Sequence, residues 1–208
     1  MAVITISREL GSEGDRIADL LCQELGYRRV DKAMLTQIAE EAGVDVEAVL
    51  AMERSFATRA KLVSTEMTSL YSRQPGAFEK KAALDDQTYE RVVRETMEEY
   101  ARQGDAIVVG RGGQMVLRDW PTALHVHLYA TLKARVQRVA QRFNISEQAA
   151  ERRIAESDEE KKQYIRHMYK LADWKDLKYY HLTINTAYAS PEVAAQVIIL
   201  AIQHKGDN

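Results

Sequence analysis

The sequence predicts an α/β fold in which a central parallel sheet is flanked by helices. Short apolar runs rich in β-branched residues alternate along the chain with longer segments of helical period, which is the pattern of that class. The runs are apolar throughout, so both faces of each strand must be covered. A glycine-containing turn also joins the first run directly to the first helical segment.

The N-terminal elements follow from apolar spacing and from glycine. A strand at 3–7 leads through a turn into a helix, whose apolar face is formed by Ile17, Leu20, Leu21 and Leu25. Gly26 is expected to end this helix. A short extended segment at 28–31 follows, and the region from 32 to 71 is predicted to be largely helical, before a loop at 72–77.

The C-terminal elements alternate in the same way. An amphipathic helix is predicted at 87–102 and is ended by Gly104. The elements predicted after it are strands at 106–109 and 122–129, a helix at 131–143, charged helices at 146–154 and 159–172, a strand at 181–185 and a helix from Pro191. The inner face of the last helix is predicted to consist of Val193, Val197, Ile198 and Ala201.

Composition excludes several classes of protein. The 208 residues are 46% hydrophobic and contain only 3 prolines, which suits one domain without a linker. The net charge of -2 gives no argument for nucleic-acid or membrane binding. Cys22 is the single cysteine, so no internal disulfide forms. With no signal peptide and no long apolar stretch in the sequence, we expect a cytoplasmic protein; its oligomeric state stays open.

The turn between the first strand and the first helix is a candidate phosphate loop. It reads Ser-Arg-Glu-Leu-Gly-Ser-Glu-Gly-Asp-Arg at 7–16, and such a turn aims backbone N–H groups and a helix N-terminus at one point. The complete motif ends in Gly-Lys-Ser/Thr, which is missing here. By position, Arg8 stands at the first glycine of that motif and Gly14 at the lysine. On the motif alone, phosphate binding and simple packing are equal alternatives.

Further segments match one known family in order. They are Ile-Ser-Arg-Glu-Leu-Gly-Ser-Glu-Gly-Asp-Arg-Ile-Ala at 6–18, Val-Asp-Lys at 30–32, Ile-Val-Val-Gly-Arg-Gly-Gly at 107–113, Arg135 and Arg138, and then Asp158, Tyr164, Asp-Trp-Lys-Asp at 173–176 and Ile-Asn-Thr at 184–186. Together they resemble the cytidylate-kinase-like family, whose phosphate loop also lacks the lysine. The similarity spans nearly the whole chain. The chain departs from the family pattern at Glu13, at Asp15-Arg16, at Lys161 and at His181.

The resemblance implies a P-loop nucleoside-monophosphate-kinase-like domain that uses ATP and Mg²⁺ and phosphorylates a small nucleotide, with cytidylate as the acceptor. It implies one domain of 1–208, with a core at 1–31, 104–130 and 179–208, a helical acceptor-binding region at about 33–103 and a lid at about 131–172. The residues it assigns to the ATP phosphates are Gly11, Ser12, Glu13, Gly14, Asp15 and Arg16. Ser12 is the candidate Mg²⁺ contact, and Arg16 would partly replace the missing lysine.

The other site residues also come from the resemblance. Arg111 would hold the phosphate of the acceptor, and the glycines on either side of it allow close approach. Asp31 is either an acceptor-site residue or a helix N-cap. Catalytic roles fall on Arg16 and on four residues of the lid: Arg135, Arg138, Asp158 and Lys161. The alternative for these four is an exposed, mixed-charge helical surface.

Other functions stay open or are disfavoured. Glu13 and the missing lysine favour a regulatory or scaffold protein that binds nucleotide with little or no catalysis, and a non-nucleotide acceptor is a further alternative. A dinucleotide-binding enzyme is disfavoured because no Gly-x-Gly-x-x-Gly follows the first strand. His125 and His127 lie on the same side of a strand, but with no third ligand evident a structural role is preferred to a metal site.

Overall fold

The computed structural model of the chain describes residues 2–31, 86–170 and 173–205. Within them, one sheet is formed by five strands: β1 (Val3–Arg8), β2 (Arg28–Val30), β3 (Ala106–Val109), β4 (Ala123–Tyr129) and β5 (Leu182–Asn185). All neighbouring strands pair in parallel, in the spatial order β2-β3-β1-β4-β5. The predicted α/β fold with a central parallel sheet is confirmed.

Helices connect the strands. They are α1 (Gly14–Leu25), α2 (Asp86–Gln103), the single turn α3 (Gly113–Val116), α4 (Leu132–Phe143), α5 (Glu147–Tyr169) and α6 (Pro191–Gln203), with a 3-10 helix at Leu177–Tyr179. Hydroxyl N-caps start α4, α5 and α6, where Thr131, Ser146 and Ser190 each accept a hydrogen bond from a backbone N–H group. None of the helices in these ranges is long and apolar enough to cross a membrane.

Each face of the sheet has its own core. Successive residues of a strand point to opposite faces, so Val3 joins one core while Ile4 and Ile6 join the other. The first core lies against α2 and α5, which contribute Met97 and Ile165. The second lies against α1 and α6. Both faces are therefore covered, as the apolar strands required.

The prediction of two charged helices at 146–154 and 159–172 is wrong, because one helix, α5, runs from Glu147 to Tyr169. Residues 155–158 contain neither glycine nor proline, so nothing in the backbone interrupts the helix there. The helix ends at Lys170, whose φ of 56° is left-handed.

The predicted inner face of α6 is also largely wrong. The buried residues are Ala194, Ala195, Ile198 and Ile202. Of the predicted set only Ile198 is among them, whereas Val193 and Val197 are 49% and 41% exposed. The helix carries apolar residues on nearly all sides, so spacing alone does not select the face that packs on the sheet.

The predicted acceptor-binding region at about 33–103 lies mostly outside the described residues, as does the loop at 72–77. Helix α2 is the described part of that region. The division of the chain into core, acceptor-binding region and lid stays a prediction.

Candidate active site

A cavity of about 250 Å³ opens at the carboxyl end of β1, where the chain turns into α1. Two turn residues have left-handed backbones, Gly11 with φ 84° and Glu13 with φ 59°. The cavity is lined by Arg8, Glu9, Leu10, Gly11, Glu13, Gly14, Asp15, Arg16, Arg138, Val139, Arg142, Ser157 and Lys161. Ligands of open parallel sheets bind at this edge.

Five of the six predicted phosphate-loop residues border the cavity, and Ser12 is the exception. The Ser12 side chain is fully buried, and its Oγ donates a hydrogen bond of 2.8 Å to the carbonyl of Glu9. A Mg²⁺ contact by Ser12 would require its hydroxyl to leave this hydrogen bond. The structure therefore does not bring Ser12 to the predicted metal position.

Two loop glycines are required by contacts within the chain itself. A Cβ added at Gly11 would lie 2.8 Å from the carbonyl oxygen of Arg135. A Cβ added at Gly14 would lie 2.5 Å from Cβ of Arg8. Packing thus explains both glycines, and it also keeps the turn narrow at the cavity.

Arg16 lies at the exposed rim of the cavity. Its guanidinium donates a 2.6 Å hydrogen bond to the Glu192 carboxylate, and the two side chains are 60% and 51% exposed. Ion pairs exposed to this degree contribute little to stability. Arg16 can therefore exchange this partner for a ligand at small cost.

Beneath the loop, four charged side chains form a cluster, which we call the ionic cluster: Glu9, Arg135, Asp158 and Lys175. Arg135 donates two hydrogen bonds to the carboxylate of Asp158, of 2.7 and 2.9 Å, and a third of 2.8 Å to the carbonyl of Leu10. Lys175 contacts both carboxylates. The structure thus brings Arg135 and Asp158 together as partners of each other, and neither is among the residues that line the cavity, although their neighbour Glu9 is.

Charge is balanced within the ionic cluster. Burial opposes ionisation of Asp158, but hydrogen bonds from Arg135 and the charge of Lys175 outweigh it, so the pKa of that carboxyl is lowered. Burial also opposes protonation of Lys175, but Glu9 and Asp158 outweigh it and raise the pKa of the ammonium. Both groups therefore stay charged at neutral pH.

Arg138 connects the phosphate loop to the segment that follows β5. Its guanidinium donates to the carbonyl of Gly11 at 3.1 Å, and to the carbonyl and hydroxyl of Thr186 at 2.7 and 3.1 Å. It also borders the cavity. Arg138 therefore positions the loop as well as adding positive charge to it.

Lys161 enters the cavity from α5. Its Nζ donates a 3.3 Å hydrogen bond to the hydroxyl of Ser157 and lies 5.7 Å from the ring centre of Trp174. It forms no ion pair with a carboxylate of the described ranges. Burial, together with the charge of Arg8, lowers the pKa of Lys161 to about 8. A buried cation without a carboxylate partner is suited to binding an anion.

Arg111 lies on the neighbouring strand end, after β3. Its backbone is left-handed, with φ 53°, between Gly110 and Gly112. Its guanidinium lies 5.2 Å from the ring centre of Tyr164, and its carbonyl accepts a 2.8 Å hydrogen bond from the hydroxyl of Tyr169. Helix α5 therefore contacts the Arg111 turn near its C-terminal end.

Asp31 lies after β2 in a network that sequence reasoning missed. Arg29 is its centre, donating hydrogen bonds to the carboxylates of Asp31 at 3.0 Å, Asp15 at 2.9 Å and Asp19 at 2.6 Å.

Glu9 and Lys175 of the ionic cluster were missed as well. Their partners are distant in sequence, with 166 positions between Glu9 and Lys175, so local spacing carries no signal of these contacts.

The two strand histidines are buried on the same side of β4, as predicted. His125 Nδ1 lies 2.8 Å from the Thr5 hydroxyl, and its ring stacks on His181 with 4.7 Å between centres. His127 packs against Trp174 and Tyr180. No group of three or more metal-ligating side chains occurs in the described part of the chain. These contacts favour packing for both histidines.

Comparison with known proteins places the chain in a family. The model of the cytidylate kinase-like family matches residues 3–188. The chain belongs to this family. The chain is 26% identical to the cytidylate kinase of Pyrococcus horikoshii over 203 residues, which cover 97% of this chain and 88% of that enzyme.

Solved structures agree with the fold. An uncharacterized protein from Eubacterium ventriosum superposes with a TM-score of 0.69 at 17% identity, covering 98% of this chain and 99% of that one. Shikimate kinase from Bacteroides thetaiotaomicron superposes with a TM-score of 0.50 at 10% identity, covering 97% and 98%. The chain therefore has a P-loop, nucleoside-monophosphate-kinase-like α/β fold.

Proposed function

We propose that this protein is an ATP-dependent nucleoside-monophosphate kinase that phosphorylates cytidylate, giving ADP and CDP. The observation that carries the proposal is the cavity at the end of β1, where a glycine turn meets cations from three helices: Arg16, Arg138 and Lys161. The kinship with enzymes named cytidylate kinase supports the choice of acceptor.

The residues of the cavity fit the polyphosphate of a nucleotide. Helix α1 begins at Gly14, so its first N–H groups and its positive dipole end are available to an anion. Two of the acids that border the cavity already have cationic partners, since Asp15 is bound by Arg29 and Glu9 by the ionic cluster. Positive charge therefore remains for phosphate.

Mg²⁺ also fits this cavity. It commonly takes one or two carboxylates together with substrate phosphates. Glu13 is the carboxylate that would hold it here, because it borders the cavity and pairs with no cation of the described residues. When bound, Mg²⁺ supplies neutralisation of the phosphate charge.

The acceptor would bind one strand further along the sheet. β3 is the neighbour of β1, so Arg111 follows the strand next to the phosphate loop. Arg111 would hold the acceptor phosphate, and Asp31, at the end of β2, would contact the rest of the nucleotide. An oxygen of the acceptor phosphate then bonds to the γ-phosphorus, while the bond to the β,γ-bridging oxygen breaks and its electron pair leaves with ADP. Catalysis consists of alignment and charge stabilisation.

The test is release of ADP from ATP and Mg²⁺ with CMP, dCMP, UMP and AMP supplied one at a time. We expect release that depends on CMP and exceeds that with UMP or AMP. ADP release with only one of the other acceptors would support the kinase function and identify that acceptor in place of cytidylate. No acceptor-dependent release from folded protein would contradict the kinase.

A nucleotide-binding regulatory protein is the second candidate. It is favoured by one observation, the engagement of Arg135 in the ionic cluster rather than at the cavity. In the same assay it would give no ADP, while ATP would still raise the melting temperature of the protein.

A further inference from the structure

We propose that Arg8, at the end of β1, is a catalytic residue that binds the transferring phosphoryl group and replaces the lysine missing from the phosphate loop. The proposal rests on the proposed kinase function and names a residue to which neither the motif nor the family resemblance gave a role. Other phosphate loops carry this charge at their end. Here the charge would come from the start of the loop.

The Arg8 side chain crosses from the phosphate loop to the Arg111 turn. Its Cβ lies against Gly14, where an added Cβ would be 2.5 Å away. Its Nη1 lies over Gly110, where an added Cβ would overlap it. The guanidinium is thus located between the proposed donor site and the proposed acceptor site, where the transferred group must pass.

The donors of this guanidinium are not used by the described residues. Arg8 makes no hydrogen bond within those ranges, and its one ion pair there is with Asp15, at 3.7 Å. Asp15 is itself held by Arg29 at 2.9 Å, and Arg29 also binds Asp19 and Asp31. The Arg8 side chain is only 28% exposed. Arginine donors with so little exposure nearly always have a hydrogen-bond partner. Because Arg8 lines the cavity, a ligand there could be that partner.

The surrounding charges also favour an anion at this point. Burial lowers the pKa of Arg8 and the charge of Asp15 opposes this, while the charges of Arg29 and Arg111 lower the pKa further. Arg8 in turn lowers the pKa of Lys161 on the opposite side of the cavity. Asp15 offsets part of the repulsion among these cations but is shared with Arg29, so a bound anion would relieve the rest. A phosphoryl group in transfer has several oxygens for such contacts, and arginine binds them with two donors at once.

In the transfer step Arg8 neither gives nor takes a proton. Its N–H groups donate hydrogen bonds to the non-bridging oxygens of the γ-phosphoryl group while the bond to ADP breaks and the bond to the acceptor forms. This contact exists with ATP and is absent with ADP. Arg8 should therefore distinguish ligands by their terminal phosphate.

The experiment is calorimetric binding of ATP, ADP and inorganic tripolyphosphate to the full chain, comparing wild type with Arg8→Gln. A charge-assisted, bidentate contact corresponds to about 10- to 100-fold in affinity, so we expect that loss for ATP and tripolyphosphate. ADP affinity should change by less than about threefold. Arg102→Gln is the matched control, because Arg102 is exposed and its ion-pair partners among the described residues are Glu98 and Glu99; it should bind all three ligands as wild type does.

Equal losses for ATP and ADP, or no loss for ATP, would overturn the proposal and leave Arg8 a structural residue. If Arg8→Gln does not fold, Arg8→Lys keeps the charge, and a loss of affinity for ATP but not for ADP is again expected. The kinase proposal is tested separately by acceptor-dependent ADP release in the wild type. Selective loss of ATP binding in Arg8→Gln, together with a wild type that releases no ADP, would retain the contact of Arg8 with the terminal phosphate and reject the kinase. A wild type that binds neither ATP nor tripolyphosphate would overturn both.

Discussion

Arg135 of α4 and Asp158 of α5 form a two-point ion pair, with N–O distances of 2.7 and 2.9 Å, directly beneath the phosphate loop. The Arg135 side chain is 5% exposed, and its Nε donates to the carbonyl of Leu10 in the same loop. The pair therefore joins two helices to the loop that borders the cavity.

Removing one partner should destabilise the protein strongly. Asp158→Ala leaves the charge of Arg135 buried with Glu9 as its remaining carboxylate, and should lower the free energy of unfolding by about 3 kcal/mol. Urea denaturation measures this. Glu151→Ala, an exposed position on the same helix, is the control and should change stability by less than about 0.5 kcal/mol. Equal effects would contradict a stabilising role for the pair.

Gly112 should tolerate a side chain poorly because of Tyr169. A Cβ at Gly112 would overlap the ring of Tyr169, whereas a Cβ at Gly26 would meet nothing within 4 Å, and both glycines have nearly the same φ, of 70° and 69°. Gly112→Ala should therefore lower the free energy of unfolding by about 1–3 kcal/mol more than Gly26→Ala does. In a Tyr169→Ala background the difference should disappear. Equal losses in the native background would contradict the overlap.

Lys161 should give the reaction a pH dependence. Its pKa of about 8 means that it is charged below that pH and neutral above it. If its charge binds phosphate, kcat/KM for ATP should fall as pH rises through about 8. Lys161→Arg stays charged, so its profile should remain level there. Lys162→Arg, at an exposed neighbouring position, should keep the wild-type fall. A wild-type profile without this fall would reject the role.

Arg111 should act on the acceptor rather than on ATP. Arg111→Ala should raise KM for the acceptor about 10- to 100-fold, as expected for loss of a charged hydrogen bond, and leave the Kd for ATP nearly unchanged. Steady-state kinetics and calorimetry measure the two constants. Arg118→Ala changes an exposed arginine beyond α3 and should leave both as they are. Equal weakening of both ligands by Arg111→Ala, with the fold intact, would contradict the assignment.

Stability should fall with acid because two histidines are buried as neutral groups. Burial and the charge of His181 lower the pKa of His125 to about 4, and burial lowers that of His127 to about 4. The unfolded chain takes up these protons near the ordinary pKa of 6.5, and the folded protein takes them up only near 4. Stability is therefore complete above about pH 6.5 and decreases between that pH and about 4, by at most roughly 3 kcal/mol per histidine. Urea unfolding at several pH values measures this.

A variant isolates the contribution of one histidine. His127→Phe does not titrate and fits among Trp174 and Tyr180. Its stability should therefore fall less with acid than that of the wild type. An unchanged acid dependence would show that His127 is not responsible.

The alternation of strands and helices, the parallel sheet and the position of the phosphate loop could all be predicted from the sequence alone. These follow from local causes: the apolar period of each segment, and glycine where the chain must turn, as at Gly11 and Gly26. Membership of the family was also readable from short motifs in order along the chain, because their residue types and sequence order are visible without any contact.

Tertiary contacts were needed to show which charges face the cavity and which face one another. Arg135 and Asp158 were predicted as separate catalytic groups, yet they pair across two helices, while Arg8 was noted only as a departure from the motif. Local spacing could not decide this, since Lys175 reaches Glu9 from 166 positions away. The prediction of the buried face of α6 was wrong for a related reason. In a helix that is apolar on nearly all sides, packing against the sheet decides which side is buried.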